Sequence, residues 1–218
     1  MTLLFGCDVS SYQPATLVPW ADDRIAFGLV KFSEGDTRAA AAGGHVAALR
    51  KANKLLGAYH FFHPECSARS QFEALDTAAN VQGYGGKGDI VPAVDVEYFR
   101  GHGVTKQWCE QLQPFVDMLT EAYDALPLIY MNASTFYLLG EPSWLLRCPL
   151  WVPYFSREGC LRPAALPLAM VPGHTDNWAI WQQLGGKLLG TVQDQKCAGA
   201  VDQNWAKRLP LVGDGDVC

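Results

Sequence analysis

Over its first two thirds the sequence alternates short apolar runs with longer amphipathic segments, which restricts the chain to strands joined by helices and hence to a parallel sheet. Residues 3–9 (LLFGCDV), 26–32 (AFGLVKF), 55–62 (LLGAYHFF), 90–99 (IVPAVDVEYF) and 128–131 (LIYM) read as strands. The pattern predicts a short helical piece over 20–24 and an Ala-rich helix over 37–53 with two faces set by Val46, Leu49, Arg50 and Lys51. A helix capped by Ser67 runs over 67–81. The longest is expected over 105–125, where Trp108, Leu112, Phe115, Val116 and Leu119 recur at helical spacing. Past residue 140 the rhythm changes, and apolar runs at 150–152, 179–181 and 199–201 are separated by Pro- and Gly-rich spacers. Eight strands imply a closed barrel. Such barrels usually take about 250 residues, so 218 fit one whose last third lacks outer helices. With no internal repeat or linker, residues 1–218 read as one domain.

Hydrophobic residues make up 49% of the chain and charged residues 18%, which excludes disorder, and no apolar stretch reaches the ~18 residues of a membrane span. A net charge of −5 speaks against a nucleic-acid partner. The first eight residues lack the basic start and long apolar run of a signal peptide, so synthesis in the cytoplasm without Sec export is expected. Seven cysteines, an odd count with no C-x-x-C pair, predict small buried hydrophobes, with Cys148 and Cys160 as the pair to watch outside the cell.

Function enters with the strand at 90–99, where Asp95 and Glu97 stand two residues apart and share one strand face, their β-carbons roughly 6 to 7 Å apart. Two close, partly desolvated acids raise each other's pKa, so that one stays protonated near neutral pH, as general acid catalysis of glycosidic cleavage requires. A solvated strand end is the plainer reading of such a pair. Active sites of βα barrels sit at the C-terminal strand ends, and there the chain places Asp8, Glu34, His60, Asp95, Glu97 and, ending the last strand, Asp202. Packing gives no reason for acids to recur there. Glu34 is either a groove acid or the ion-pair partner of Lys31. His60 and His63 point to opposite faces of a strand, which favours a packed, hydrogen-bonded His60 over a metal pair. Among the aromatics Tyr59 and Tyr154 are expected to line the groove before Trp151, Trp178 or Trp181.

In this order of motifs the sequence resembles the family 25 glycoside hydrolases, the Chalaropsis-type lysozymes. Gly6-Cys7-Asp8-Val9-Ser10-Ser11-Tyr12-Gln13 is similar to the family's opening D-V-S-x-x-Q, Lys31 to Gly35 to its K-x-S/T-E-G, and Gly57 to Phe61 to its G-x-Y-H-F. Asp95-Val96-Glu97 matches D-x-E, and Ile129-Tyr130 the tyrosine strand. Leu150 to Tyr154 resembles L-W-x-A-x-Y, Trp181-Gln182 the W-Q and Val201 to Asn204 the V-D-x-N. The resemblance implies an α/β fold, an irregular TIM-like barrel with five βα units followed by three further strands. It implies hydrolysis of the β-1,4 bond between N-acetylmuramic acid and N-acetylglucosamine in peptidoglycan, without cofactor or metal. Glu97 would be the general acid, Asp95 its assistant, Asp8 and Asp202 flanking acids, and Tyr59, Tyr130, Tyr154, Glu34 and His60 substrate contacts. Two acids on one side of the sugar suit neither of the usual two-carboxylate geometries, and a route in which the substrate's own acetamido carbonyl attacks fits better. Pro153 and Cys7 depart from the pattern, the first standing before Tyr154 where the family has a small residue. Nothing after Asp202 resembles a wall-binding repeat. The expectation is a monomeric catalytic domain of a phage endolysin, held in the host cytoplasm until lysis brings it to the cell wall. Against it stand a catalytically inactive wall-binding module and a metal-dependent hydrolase using His60 and His63.

Overall fold

The computed structural model describes residues 3–98, 101, 103–155, 166–187 and 201–214. Its strands form one sheet in the order β1 (Leu4–Val9), β9 (Val201–Ala206), β8 (Trp178–Lys187), β7 (Leu150–Pro153), β6 (Leu128–Tyr130), β5 (Ala93–Asp95), β4 (Leu55–Phe61), β2 (Phe27–Glu34) and β3 (Thr37–Arg38). Because β1 also pairs with β2, eight strands close into a barrel and β3 remains outside it. From β1 to β8 the barrel neighbours are parallel, while β9 runs antiparallel to both β8 and β1. This is the irregular TIM-like α/β barrel that the resemblance implies, and the closed barrel that the strand–helix rhythm predicts.

Helices α1 (Ala42–Lys51), α2 (Ala68–Gln82), α3 (Cys109–Tyr123) and α4 (Ala133–Leu138) cover the crossovers up to β7, and the first crossover carries only a 3-10 turn at Ala15–Leu17. The cap on α2 is as expected: Ser67 Oγ accepts from the Ser70 N–H at 3.0 Å, and Gly83 ends the helix at φ 59°. In α3 the buried residues Leu112, Phe115, Val116 and Leu119 form the apolar stripe. At 15 residues, α3 only equals α2.

Two predicted helices change. The Ala-rich segment 37–53 splits, because Gly35 at φ 55° opens a two-residue hairpin that pairs Glu34 with Thr37, and the helix starts only at Ala42. Over 20–24 there is a turn instead of a helix: the Asp22 carboxylate accepts from the Arg24 N–H at 2.9 Å, a side-chain competitor for helical pairing. The apolar run at 90–98 is also mostly irregular, with only Ala93–Asp95 laddered as β5. Phe99, residues 199–200 and Cys160 lie outside the described residues, and with Cys160 the expected pairing of Cys148; Cys7, Cys66, Cys109 and Cys148 are free thiols.

Strand alternation separates two layers. Phe27, Leu29, Ala93, Leu128, Ile180 and Ala206 fill the barrel, and Cys7, Val9, Val30, Leu56, Val94 and Val152 face the helices. Side-chain space inside is short: a Cβ on Gly57 would lie 2.4 Å from Leu29 Cδ2, so only glycine fits there. The C-terminal stretch seals the N-terminal end of the barrel, where Val91 N–H donates to Pro210 O at 2.9 Å and Val212 N–H to Asp89 O at 2.8 Å. The opposite end, where the parallel strands finish, stays polar.

Candidate active site

The inward positions at that polar end follow from strand parity. Asp8 on β1, Asp95 on β5 and Tyr130 on β6 come at the C-terminal ends of parallel strands. Asp202 opens β9 rather than ending it, correcting the expected position on the strand; because β9 is antiparallel, its start lies at the same mouth, with Asp202 opposite Asp8. Glu97 sits two residues beyond the end of β5, half-buried.

The four acids influence one another. Burial, then the charge of Glu97, pushes the Asp95 carboxyl well above the usual carboxylate range. Burial also raises Glu97, against the opposing pull of Lys31 and with a further push from Asp202. Asp8, pushed up to about 8, is raised by burial and by Asp202 and pulled down by hydrogen bonds from Asn204 and Gln182. Burial, then the same four acids, raises Tyr59 and Tyr130, whose positions opposite Ala93 and Asp95 of β5 bring both phenols to the mouth. Asp95 Oδ1 is buried without a hydrogen-bond partner among the described residues. An arrangement of this kind keeps at least one carboxyl protonated at neutral pH and leaves another able to steady positive charge.

Two expected contacts, His60 and Tyr154, are elsewhere, and a third, Glu34, is held in ion pairs while its charge still reaches Asp95. His60 points outward, as the residue of opposite parity to Tyr59: Nδ1 meets Ser33 Oγ at 2.8 Å, Nε2 meets Gln71 Oε1 at 2.9 Å, and its ring packs 4.7 Å from Phe115. Burial pushes its pKa down to about 4, so it is a neutral packing histidine and not a groove contact. Tyr154 also belongs to the outer layer, its ring stacked 6.2 Å from Trp181. Glu34 is bound in ion pairs with Lys31 and, at 3.3 Å, with His63. Burial would raise its pKa, but Lys31 and His63 outweigh that and hold it below the ordinary value. With His60 and His63 so engaged, the expected metal alternative loses its imidazoles.

Gln71 holds this outer packing in place, its Oε1 accepting from His60 and from the His63 N–H at 2.8 Å while its Nε2 donates to His63 O at 3.0 Å and Cys66 O at 3.1 Å. Gln71→Leu would strand these fully buried or half-buried groups, and a loss of about 3 kcal/mol in stability is expected. Thermal unfolding measures it, and a change below about 1 kcal/mol would mean that the loop re-pairs its polar groups.

Four residues that stand in the family motifs but not among the expected site residues, Lys31, Trp151, Gln182 and Asn204, are brought to the acids by the barrel. Lys31 Nζ lies 4.8 Å over the Phe61 ring and acts on both Asp95 and Glu97. Gln182, Asn204 and Trp151 form the floor: Trp151 stands edge-on to Tyr130 at 4.7 Å and to Tyr59 at 5.9 Å, and its indole bonds Asn204. Inward parity on the last two strands could have found Gln182 and Asn204, but it becomes readable only once the direction of β9 is known. Trp178, at the other end of β8, lies under Lys207 Nζ at 4.8 Å.

Residues 7–184 match the family model described as "Glycosyl hydrolases family 25". Among curated proteins, "Uncharacterized protein YegX" of Escherichia coli (strain K12) is 27% identical over 188 residues, covering 82% of this chain. The chain matches only 62% of the length of that relative. Among solved structures, a muramidase from Acremonium alcalophilum superposes with a TM-score of 0.74 at 20% identity, covering 98% of this chain and 95% of the other. A family 25 glycosyl hydrolase from Bacillus anthracis gives 0.73 at 20% identity, over 94% and 88%. The catalytic domain of endolysin ply40 from bacteriophage P40 of Listeria monocytogenes gives 0.70 at 17% identity, over 94% and 93%. These likenesses are of fold.

Proposed function

The chain belongs to glycosyl hydrolases family 25, and from that premise we propose that it is a muramidase, cleaving the β-1,4 bond from N-acetylmuramic acid to N-acetylglucosamine in peptidoglycan. The observation that carries the reading is the half-buried Glu97 carboxyl, raised in pKa, next to the buried Asp95 at the open end of the barrel. Glu97 gives its proton to the leaving glycosidic oxygen. As a positive charge develops at the anomeric carbon, the 2-acetamido carbonyl of the muramic acid attacks it, and the acetamido nitrogen becomes the place where charge must be steadied. Asp95 does this, its Oδ1 taking the acetamido N–H as the partner it otherwise lacks. Water then opens the cyclic intermediate, returning its proton to Glu97. Tyr59 and Tyr130 form the wall beneath the sugar.

Support for the substrate comes from the family and from the muramidase and endolysin folds that the barrel superposes on. A role in host-cell lysis by a phage, with the protein kept in the cytoplasm until release to the wall, belongs to the same proposal. Its support is the likeness to the P40 endolysin domain, and neighbouring holin and tail genes would test it.

Digestion of purified peptidoglycan, followed by borohydride reduction and mass spectrometry, tests the bond specificity. Reduced muramic acid ends are expected. Reduced glucosamine ends would assign the bond on the other side of the disaccharide, and wall binding without new ends would leave only a binding module.

A further inference from the structure

We infer that the side-chain amides of Gln182 and Asn204 are positioning residues that clamp Asp8 and hold it with Asp202 as an acid pair sharing one proton. The clamp begins at Trp151, whose Nε1–H donates to Asn204 Oδ1 at 2.8 Å. An indole nitrogen can only donate, so it fixes which way the Asn204 amide faces. The NH2 of Asn204 is thereby aimed at Asp8 Oδ2, at 2.7 Å. On the neighbouring strand the same arrangement recurs: Tyr130 OH donates to Gln182 Oε1 at 2.8 Å, and Gln182 Nε2 donates to Asp8 Oδ2 at 3.0 Å. Two N–H groups thus converge on one oxygen of a carboxyl that is 5% exposed.

An oxygen that accepts two N–H bonds does not carry the proton, so Asp8 is held with that oxygen as acceptor. Asp202 stands opposite Asp8 in the β1–β9 register, and Gln182 Nε2 lies within reach of an oxygen of each carboxyl, which brings the two acids into contact, where Asp202 raises Asp8. Two carboxyl groups in hydrogen-bond contact need a proton between them, and one is enough. The pair then carries a single negative charge. Gln182 Nε2 reaches Asp202 Oδ2 as well, at 3.4 Å, so its amide spans the two carboxyls, while Asn204 Nδ2 reaches the backbone carbonyl of Asp202 at 3.3 Å.

The charged and titratable groups around it are few. Asp95 faces it from the end of β5 and Glu97 from just beyond, Tyr59 from β4 and Tyr130 from β6, while Lys31 on β2 is the cation that acts on Asp95 and Glu97. Cys7, next to Asp8, is buried in the outer layer and its thiol is pushed far up by burial and by both members of the pair. The negative charge of Asp202 raises Glu97. The catalytic consequence of the clamp, support for a protonated Glu97, rests on the proposed function; the clamp and the shared proton do not.

Titration of the full chain, with its aspartate carboxyl carbons labelled with 13C and followed by NMR, tests the inference without any substrate. Asp8→Asn and Asp202→Asn assign the two signals. In the wild type they are expected to move together, with the second proton leaving at about pH 8. The amide bonds lower the Asp8 pKa, so Asn204→Leu should shift this upper step to higher pH by about one unit. Trp151→Phe keeps Asn204 but frees its amide to turn, and should shift the step in the same direction by less. Loss of both protons below about pH 5 in the wild type, or an upper step that neither variant moves, would overturn the clamp. Should Asn204→Leu fail to fold, the wild type and Trp151→Phe still decide. A failed digestion of peptidoglycan would leave this titration unaffected, so the two readings fail separately.

Discussion

Glu97→Gln is expected to slow glycan hydrolysis by about 10²–10⁴-fold. Glutamine keeps the length and hydrogen-bonding reach of the side chain but has no proton to give, so wall binding should persist while turnover is lost. The wild-type pH profile should report the same group. Burial raises Glu97 above the ordinary carboxylate value, and a general acid works only while protonated, so activity should fall as pH rises through that raised value. In the variant this limb should disappear from whatever activity remains. Release of reducing ends across a pH series measures both effects. A variant within a few-fold of wild type would remove Glu97 from the role of acid.

Asp95→Asn has the second-largest expected effect, a loss of about 10²-fold or more in turnover, because the amide cannot offset the charge that develops on the acetamido group. The same change should stabilise the fold. Burial and Glu97 raise the Asp95 pKa, whereas in the unfolded chain the group ionises near pH ~4. Its contribution to stability is therefore full below that unfolded value and is lost as pH rises toward the folded one. At pH 7 the folded state must either take up a proton or bury a charge, and asparagine removes that cost. Thermal unfolding should show a higher Tm for the variant at pH 7 and little difference near pH 4, with each kcal/mol worth about 2–4 °C in a chain of this size. A rate within a few-fold of wild type would end the role given to Asp95, and a lower Tm at pH 7 would mean that its carboxylate is stabilised in the fold by interactions with the mouth.

The apolar rhythm and the acid positions were legible in the chain because both are local. A strand shows its period over a few residues, and Asp8 and Asp95 occupy strand ends that the next turn marks, with Glu97 two residues beyond β5. The ordered motifs extended this to the whole barrel. Side-chain partners at long separation were not legible in the same way. His60 and Tyr59 are adjacent in sequence, and which of them enters the barrel was set by the register that pairs Tyr59 with Ala93 and His60 with Val94. The hairpin at Gly35 shortened an Ala-rich segment that helix propensity alone would have kept whole.

Sequence by itself thus determined the strand–helix order and the acids, since apolar period and residue type are properties of short stretches. Only the tertiary structure decided that β9 returns antiparallel and places Asp202 opposite Asp8, and that Trp151, Gln182 and Asn204 gather beneath them. The Asn204 to Asp8 bond joins residues 196 positions apart. No local pattern encodes such a bond; it forms because closing the barrel brings its first and last strands side by side.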